Sequence, residues 1–519
     1  MFKKKIFLRI TSALIAALFV LSILSFLDLK QFFNNQSNFE LTIYHTNDTH
    51  AHIKNEAVLA SLIKQKKTDG ENVITISAGD AIAGHPVSVD SKGKNIVDIF
   101  NDVGYDYLTP GNHEFDFGLK NLKKLISEAN FKFLSANIKD KDNNYLFEPY
   151  DLVEINGIKI GIFGLTTVDT PIKTNLSNGD SPKNLLFLDP IDVSKEMIRE
   201  LKSKNADIII AVSHLGLDID PNYRKKFVSE TKNIDLIIDA HSHTNLSNGI
   251  EIDNTLIVQT GEHGENIGEV NLKLKKNKII KKAKVIKTEK IKINPEENVL
   301  KKMDQTTVKN SNHEKLVCKI DFQLIGTRKD VRTHDTNLTN LITDIILKKS
   351  QADLVLLNAG NFRENINAGE VYESNIKDAL PYSDDIVVIK VKGSEISKAL
   401  ENGISHYPKP DGSFAHIAGA KTYFDPEKEN KEKILKIVFN KTNENIDPEK
   451  YYSLATSYFL ANKGDNYDIN YDDKNVLTIG NLKDIVINFL NLHANDKSIM
   501  NNYKRCKERI IDVKKIDQN

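Results

Sequence analysis

The sequence predicts an α/β layered fold divided into two domains, and three observations predict it. The chain has 519 residues, more than one hydrophobic core usually organises. Hydrophobic residues make up 40% and charged residues 27%, the balance of a soluble globular protein. From residue 41 onward, short β-branched runs (41–44, 73–76, 208–212, 236–238 and 256–258) alternate with segments of helix length. Short, continuously apolar strands spaced in this way belong to a sheet covered on its faces.

The amino terminus has its own texture. Lys3, Lys4, Lys5 and Arg9 precede an uncharged apolar run from Ile10 to Leu27. A basic start followed by such a run predicts export, with the positive flank kept in the cytoplasm. The run is close to the shortest length that spans a bilayer, so it fits a cleaved signal or a retained anchor. No Cys stands at the end of the run, which excludes a lipoprotein anchor. Residues 28–38 (Gln31, Asn34, Asn35, Gln36, Asn38) read as a polar linker.

Segments 121–128 and 192–204 carry apolar residues at helical spacing. Residues 271–292 combine Lys273, Lys275, Lys276, Lys278, Lys281 and Lys282 with alternating Ile and Val, the pattern of an exposed strand with a solvated basic face. Asn294-Pro295 opens a polar helix to about His313, read as the connector between domains. Beyond it, helices are predicted at 338–348 and 395–401, and strands at 354–357 and 386–391.

Whole classes of function are excluded at this level. Lys plus Arg and Asp plus Glu number 71 each, so no net field attracts a nucleic-acid backbone. Cys318 and Cys506 are the two cysteines; a thiolate metal site and a disulfide scaffold are both excluded, and two unpaired thiols are expected.

The chemistry lies just past the end of each strand in the first half. Asp48 and His50 come after the first run and Asp80 after the second. Asn112 and His113 come after 105–108, His214 after 208–212, and Asp239, His241 and His243 after 236–238. Carboxyl ends of neighbouring parallel strands converge on one crevice, so these side chains are expected to meet. Asp48, His50, Asp80, Asn112, His214, His241 and His243 form a carboxylate, amide and imidazole set suited to divalent Zn, Mn or Co. Seven candidates exceed one tetrahedral ion and point to two ions with a bridging carboxylate, the arrangement of two-metal phosphoryl transfer. His45, His52, His85 and His263 are expected to be structural.

Asn47-Asp48-Thr49-His50, Gly79-Asp80, Gly111-Asn112-His113-Glu114-Phe115-Asp116, Ser213-His214 and His241-Ser242-His243 resemble the motifs of the bacterial and animal 5′-nucleotidases, among them the UDP-sugar hydrolase/5′-nucleotidases. The resemblance implies a calcineurin-like two-sheet α/β sandwich with a second α/β substrate-binding domain. It implies that Asp80 bridges both ions, with Asp48, His50 and His243 completing one site and Asn112, His214 and His241 the other. His113, oriented by Asp116, would act on the phosphate rather than ligate.

The second half carries the rest of the resemblance, in Arg332–Leu338, Asn358–Arg363, Leu380-Pro381-Tyr382 and Phe459–Asp465. It implies that Tyr382 and Phe459 sandwich a base, Asn358 hydrogen-bonds it, Asp465 holds ribose hydroxyls, and Arg332 and Arg363 meet phosphate or ribose. Asp335, Thr339, Ala359 and Lys463 depart from the family pattern. The expected organisation is signal or anchor plus linker over 1–38, catalytic domain over 39–292, connector over 293–316 and nucleotide-binding domain over 317–519.

The expected function is exported hydrolysis of nucleoside 5′-phosphates by a monomer whose partners are nucleotides. A membrane enters only through the N-terminal run. The alternatives are a 2′,3′-cyclic-nucleotide phosphodiesterase, a UDP-sugar diphosphatase, or a non-catalytic surface nucleotide-binding protein. Domain closure about a hinge near 313–321 is also expected.

Overall fold

A computed structural model of the protein describes residues 39–174, 182–275, 278–311, 315–382, 384–472 and 476–516. The N-terminal apolar run and linker lie outside these residues. Among the described residues no helix is long and apolar enough to cross a membrane.

Two six-stranded sheets form the first domain. One runs in the order Lys278–Lys287, Asn266–Lys275, Glu40–Thr46, Asn72–Ser77, Tyr107–Leu108, Lys132–Phe133. The other runs Ile250–Ile252, Thr255–Val258, Leu236–Ile238, Ile208–His214, Ile158–Thr166, Tyr150–Ile155. They face each other across an apolar layer that includes Leu41, Ile43, Ile74, Ile76, Ile160, Ile162, Ile210 and Ile238. Helices Glu56–Thr68, Lys94–Val103 and Leu119–Glu128 cover the outer face of the first sheet. Pro190–Ser203 and Pro221–Glu230 cover that of the second.

Local chemistry explains the elements. Asp189 caps Pro190–Ser203 by accepting from the Ile191 and Asp192 amides, and Pro190 takes the first turn, where its missing N–H costs nothing. Ile191, Met197, Ile198 and Leu201 form its buried stripe. The lysine-rich strand Lys278–Lys287 is an outer strand with alternating exposure; charged side chains there discourage pairing with another sheet. The predicted connector forms Glu297–Ser311, but it packs on the first two helices through Val299 and Met303. It therefore serves the first domain's helical layer as well as linking the halves.

The C-terminal half holds a five-stranded sheet ordered Ala415–Ala418, Leu354–Asn358, Tyr451–Ser457, Asp385–Lys392, Leu477–Asn481, with a three-stranded sheet beside it. One contiguous core serves both. Thr339 closes a capping box with Thr336 at the start of Asn337–Ser350, which is its use here. Asp335 accepts from the Arg509 and Ile510 amides. Cys318 is buried, Cys506 is exposed, and both are free.

Candidate active site at the domain seam

Glu40–Thr46, Asn72–Ser77 and Tyr107–Leu108 pair in parallel, as do Ile208–His214, Leu236–Ile238 and Thr255–Val258. Their carboxyl ends meet at one edge of the sandwich, and the site is built from the loops that leave there. Asp48, His50, Asp80, His241 and His243 all take left-handed backbone conformations, with φ between 47° and 75°. Asp and His tolerate that region better than most residues, and five such residues around one point mark a site where local strain is maintained by its surroundings.

The structure brings the seven candidate ligands together. Ligand atoms of Asp48, His50 and His243 lie within 4.8 Å of one another, and so do those of Asp80, His214 and His241. Asp80 stands between the groups: its carboxylate is 3.2 Å from His214 Nε2 and 3.9 Å from His50 Nε2. His50 Nε2 and His243 Nε2 approach to 3.2 Å. His214 donates Nδ1–H to the Ala78 carbonyl at 2.8 Å, so its Nε2 faces the carboxylates. The His214 Nε2 and Asn112 Oδ1 atoms are buried without a hydrogen-bond partner. Orphaned acceptors beside carboxylates and imidazoles are what a divalent cation satisfies, so these residues fit the expected ion pair.

The electrostatics agree. Burial pushes the Asp48 carboxyl up to about 7. Burial also opposes charge on His214, but Asp80 and Asp48 outweigh it and push that imidazole up to about 10. Burial likewise disfavours an ionised Asp80, and His214 and His113 outweigh it, holding its carboxyl well below the usual range.

Two carboxylates that sequence reasoning left without a role orient this cluster. Glu114 accepts from the Asp80, Ala81 and Gly111 amides at 2.8, 2.6 and 2.6 Å, tying two ligand loops together. Glu262 hydrogen-bonds His243 Nδ1, which points Nε2 inward, as partners of metal-binding histidines do. Glu262 comes just after Thr255–Val258 and was findable by the same strand-end rule. Asn47 holds Asp48 from the other side, donating to its carboxylate at 2.8 Å and to the Gly261 carbonyl at 2.7 Å.

Two glycines are forced by close approach. A Cβ on Gly79, whose φ is 92°, would lie 2.4 Å from the Thr109 carbonyl oxygen; one on Gly111 would lie 2.3 Å from Asp80 Oδ1 and 2.6 Å from His214. Gly111→Ala is therefore expected to weaken metal binding by roughly 10- to 100-fold, as lost support of ligands does, with the circular dichroism spectrum unchanged. Unaltered affinity in a metal titration would mean that Asp80 moves aside freely.

His113 lies 2.7 Å from Asp116 through Nδ1. Burial opposes its charged form, but the Asp116 and Asp80 carboxylates outweigh it and hold the imidazole above its ordinary value. The other domain closes over it. The Tyr382 ring lies parallel to the His113 ring at 5.8 Å and 16°, and its hydroxyl hydrogen-bonds Arg363. His50, Asp80, Asn112, His113, His241, His243, Arg328, Arg332, Asn358, Arg363, Tyr382, Phe459 and Asp465 line one cavity of about 220 Å³. Asn358 donates to Asp465 at 2.6 Å. Phe459 comes just after Tyr451–Ser457 and Asn358 ends Leu354–Asn358, a parallel pair, so the strand-end rule holds in this domain too. Burial and the nearby Arg328 and Arg363 disfavour charge on Arg332; crowded guanidiniums are relieved by an anion between them. A larger depression of about 860 Å³ beside Lys398 and Ile437 contains none of the predicted site residues.

Comparison with known proteins divides the chain in the same way. Residues 41–245 match the calcineurin-like phosphoesterase family model, and 317–470 match the model of the 5′-nucleotidase C-terminal domain. The trifunctional nucleotide phosphoesterase YfkN of Bacillus subtilis is 28% identical over 83% of this chain and 32% of its own length; this chain spans about a third of that relative. Bos taurus 5′-nucleotidase is 27% identical over 84% of this chain and 85% of its own. The structure of a 5′-nucleotidase precursor from Thermus thermophilus shares the fold, with a TM-score of 0.78 at 24% identity, over 88% of this chain and 96% of that one.

Proposed function

We propose, from the premise that the chain belongs to the family joining a calcineurin-like phosphoesterase domain to a 5′-nucleotidase C-terminal domain, that it hydrolyses nucleoside 5′-phosphates. It is a metal-dependent phosphoester hydrolase. The observation that carries it is the shared cavity, where guanidiniums and aromatic rings of one domain face the carboxylate–histidine cluster of the other.

In this reading Asp48, His50 and His243 would hold one ion, Asn112, His214 and His241 would hold the other, and Asp80 would serve both. When bound, two such ions polarise phosphoryl oxygens and supply an acidified water. Arg332 and Arg363 clamp phosphate oxygens, with the planar fork suited to that geometry. His113, charged and fixed by Asp116, donates a hydrogen bond to the oxygen on which negative charge develops. Asp465 accepts from ribose hydroxyls, Asn358 meets the base edge, and Tyr382 and Phe459 offer faces for stacking.

The cavity of about 220 Å³ is smaller than the roughly 300–1,000 Å³ of ordinary ligand pockets. A nucleotide enters only if the domains part, which supports a closing motion that brings bound nucleotide to the cluster. The basic, apolar N-terminus supports work outside the cytoplasm.

A hydrolysis panel of AMP, UDP-glucose and 2′,3′-cyclic AMP with added manganese, cobalt or zinc tests this reading; AMP should have the highest kcat/KM. A preference for either diester would move the assignment to a phosphodiesterase or diphosphatase. Phe459→Ala should raise KM for AMP by roughly five- to a hundred-fold, the size of one lost stacking face, and leave p-nitrophenyl phosphate hydrolysis nearly unchanged. Equal loss on both substrates would make Phe459 a core residue instead.

A further inference from the structure

Next to the proposed ion pair lies a second set of ligands that the proposed mechanism does not use. His52 and His263 stand in loops of the phosphoesterase domain, and Glu364 comes from the C-terminal domain; their ligand atoms lie within 4.8 Å of one another. The centres of the His52 and His263 rings are 4.2 Å apart, and that of His85 is 4.5 Å from His52. These histidines were expected to be structural, yet neither the His52 imidazole nor the Glu364 carboxylate has a hydrogen-bond or ion-pair partner among the described residues. None of the three lines the active-site cavity.

The geometry points to a third cation site here, taking a borderline transition metal such as zinc and bridging the two domains. Two imidazoles and one carboxylate are a sufficient set of protein ligands for such an ion, with the fourth position left to water. Bonds of about 2.0–2.1 Å place tetrahedral ligand atoms about 3.3 Å apart, a contraction that side-chain rotation supplies. The loops are already held. The His263 amide donates to the Asp48 carbonyl at 2.8 Å, and the His52 amide donates to Thr49 at 2.8 Å. A Cβ on Gly326 would lie 2.2 Å from the Glu364 carbonyl oxygen, so that backbone is closely backed. His85 accepts from the Val87 amide through Nδ1 at 3.2 Å, which turns Nε2 outward, 3.7 Å from Asp378 of the C-terminal domain. Lys54 and Glu262 are the other charged groups acting on Glu364.

Because Glu364 is the one ligand from the C-terminal domain, an ion held there ties the domains in the closed arrangement. The Arg328–Glu262 ion pair, at 3.2 Å, crosses the same seam. The site does not depend on which phosphoester the enzyme prefers.

The test counts metal. Full-length protein equilibrated with micromolar free zinc and gel-filtered is analysed by plasma mass spectrometry, alongside Glu364→Gln and His263→Ala. Three zinc ions per chain are expected in the wild type and two in each variant, with AMP hydrolysis at low zinc retained by Glu364→Gln. Two ions in the wild type would overturn the proposal, and so would a third ion retained by Glu364→Gln. Should His263→Ala fail to fold, Glu364→Gln alone decides.

Discussion

Replacing Asp80 by Asn is expected to empty the proposed ion pair and to lower kcat for AMP by on the order of 10³-fold or more. The carboxylate faces both ligand sets, 3.2 Å from His214 Nε2 and 3.9 Å from His50 Nε2. Asn keeps the shape and leaves one neutral acceptor, so the Asp80 Oδ1 contact with the His113 amide, 2.8 Å in the native chain, has a substitute. What goes is the charge that balances two divalent ions. Ions of this kind supply several kcal/mol of transition-state stabilisation, and each ~1.4 kcal/mol is tenfold in rate. Manganese content read together with turnover is the useful measure, because the carboxylate and amide oxygens of Asp48, Asp80 and Asn112 suit manganese. Two manganese ions per chain together with normal turnover would end the two-ion assignment. Asn112→Ala should lose one ion with most of the activity.

Much of this site was legible because of one regularity, the carboxyl end of a parallel strand. Asp48, Asp80, Asn112, His214, His241 and His243 each come at or after the end of a strand whose apolar run is unmistakable in sequence. Family resemblance then extended the reading to Asn358, Tyr382 and Phe459. What escaped depends on tertiary placement. Glu114 works through backbone amides of two other loops, which no spacing records. Arg328 reaches Glu262 from the other domain, and Glu364 reaches His52 and His263 in the same way.

Element boundaries failed for similar reasons. The strand expected from residue 105 begins at Tyr107, because the Tyr105 amide closes the end of the preceding helix, donating to the Phe100 carbonyl at 3.2 Å, instead of joining the ladder. Near the C-terminus, Ile510–Asp512 is a three-residue strand paired with Ala420–Phe424, too short for periodicity to reveal. Arg509 beside it is buried, donating to the Ile417 carbonyl and to Asp344. Lys463 stands at φ 70° where the family pattern has glycine, a strain the sequence does not announce.

His113→Ala should separate chemistry from ligation. The structure permits two roles, since His113 also lies with His50 and Asp80 in a group whose ligand atoms are within 4.8 Å. The Asp116 contact favours the chemical role: at 2.7 Å the carboxylate fixes the tautomer, and its charge, with that of Asp80, holds the imidazole above its ordinary pKa. A cationic donor of that kind contributes roughly 10²–10⁴ in rate. A ligand, by contrast, is a neutral imidazole whose loss shows first in metal content. His113→Ala is therefore expected to keep two manganese ions per chain and nearly unchanged affinity for AMP as a competitive ligand, while kcat falls by roughly 10²–10⁴. Asp116→Asn should show a smaller fall in kcat with metal retained, because the imidazole stays in place and loses only its carboxylate. The backbone supports a clean comparison, since the His113 amide bond to Asp80 survives truncation of the side chain. If manganese content in His113→Ala drops with activity, His113 is a third imidazole on the ion that His50 and Asp80 face, and the proton-donating role passes from it.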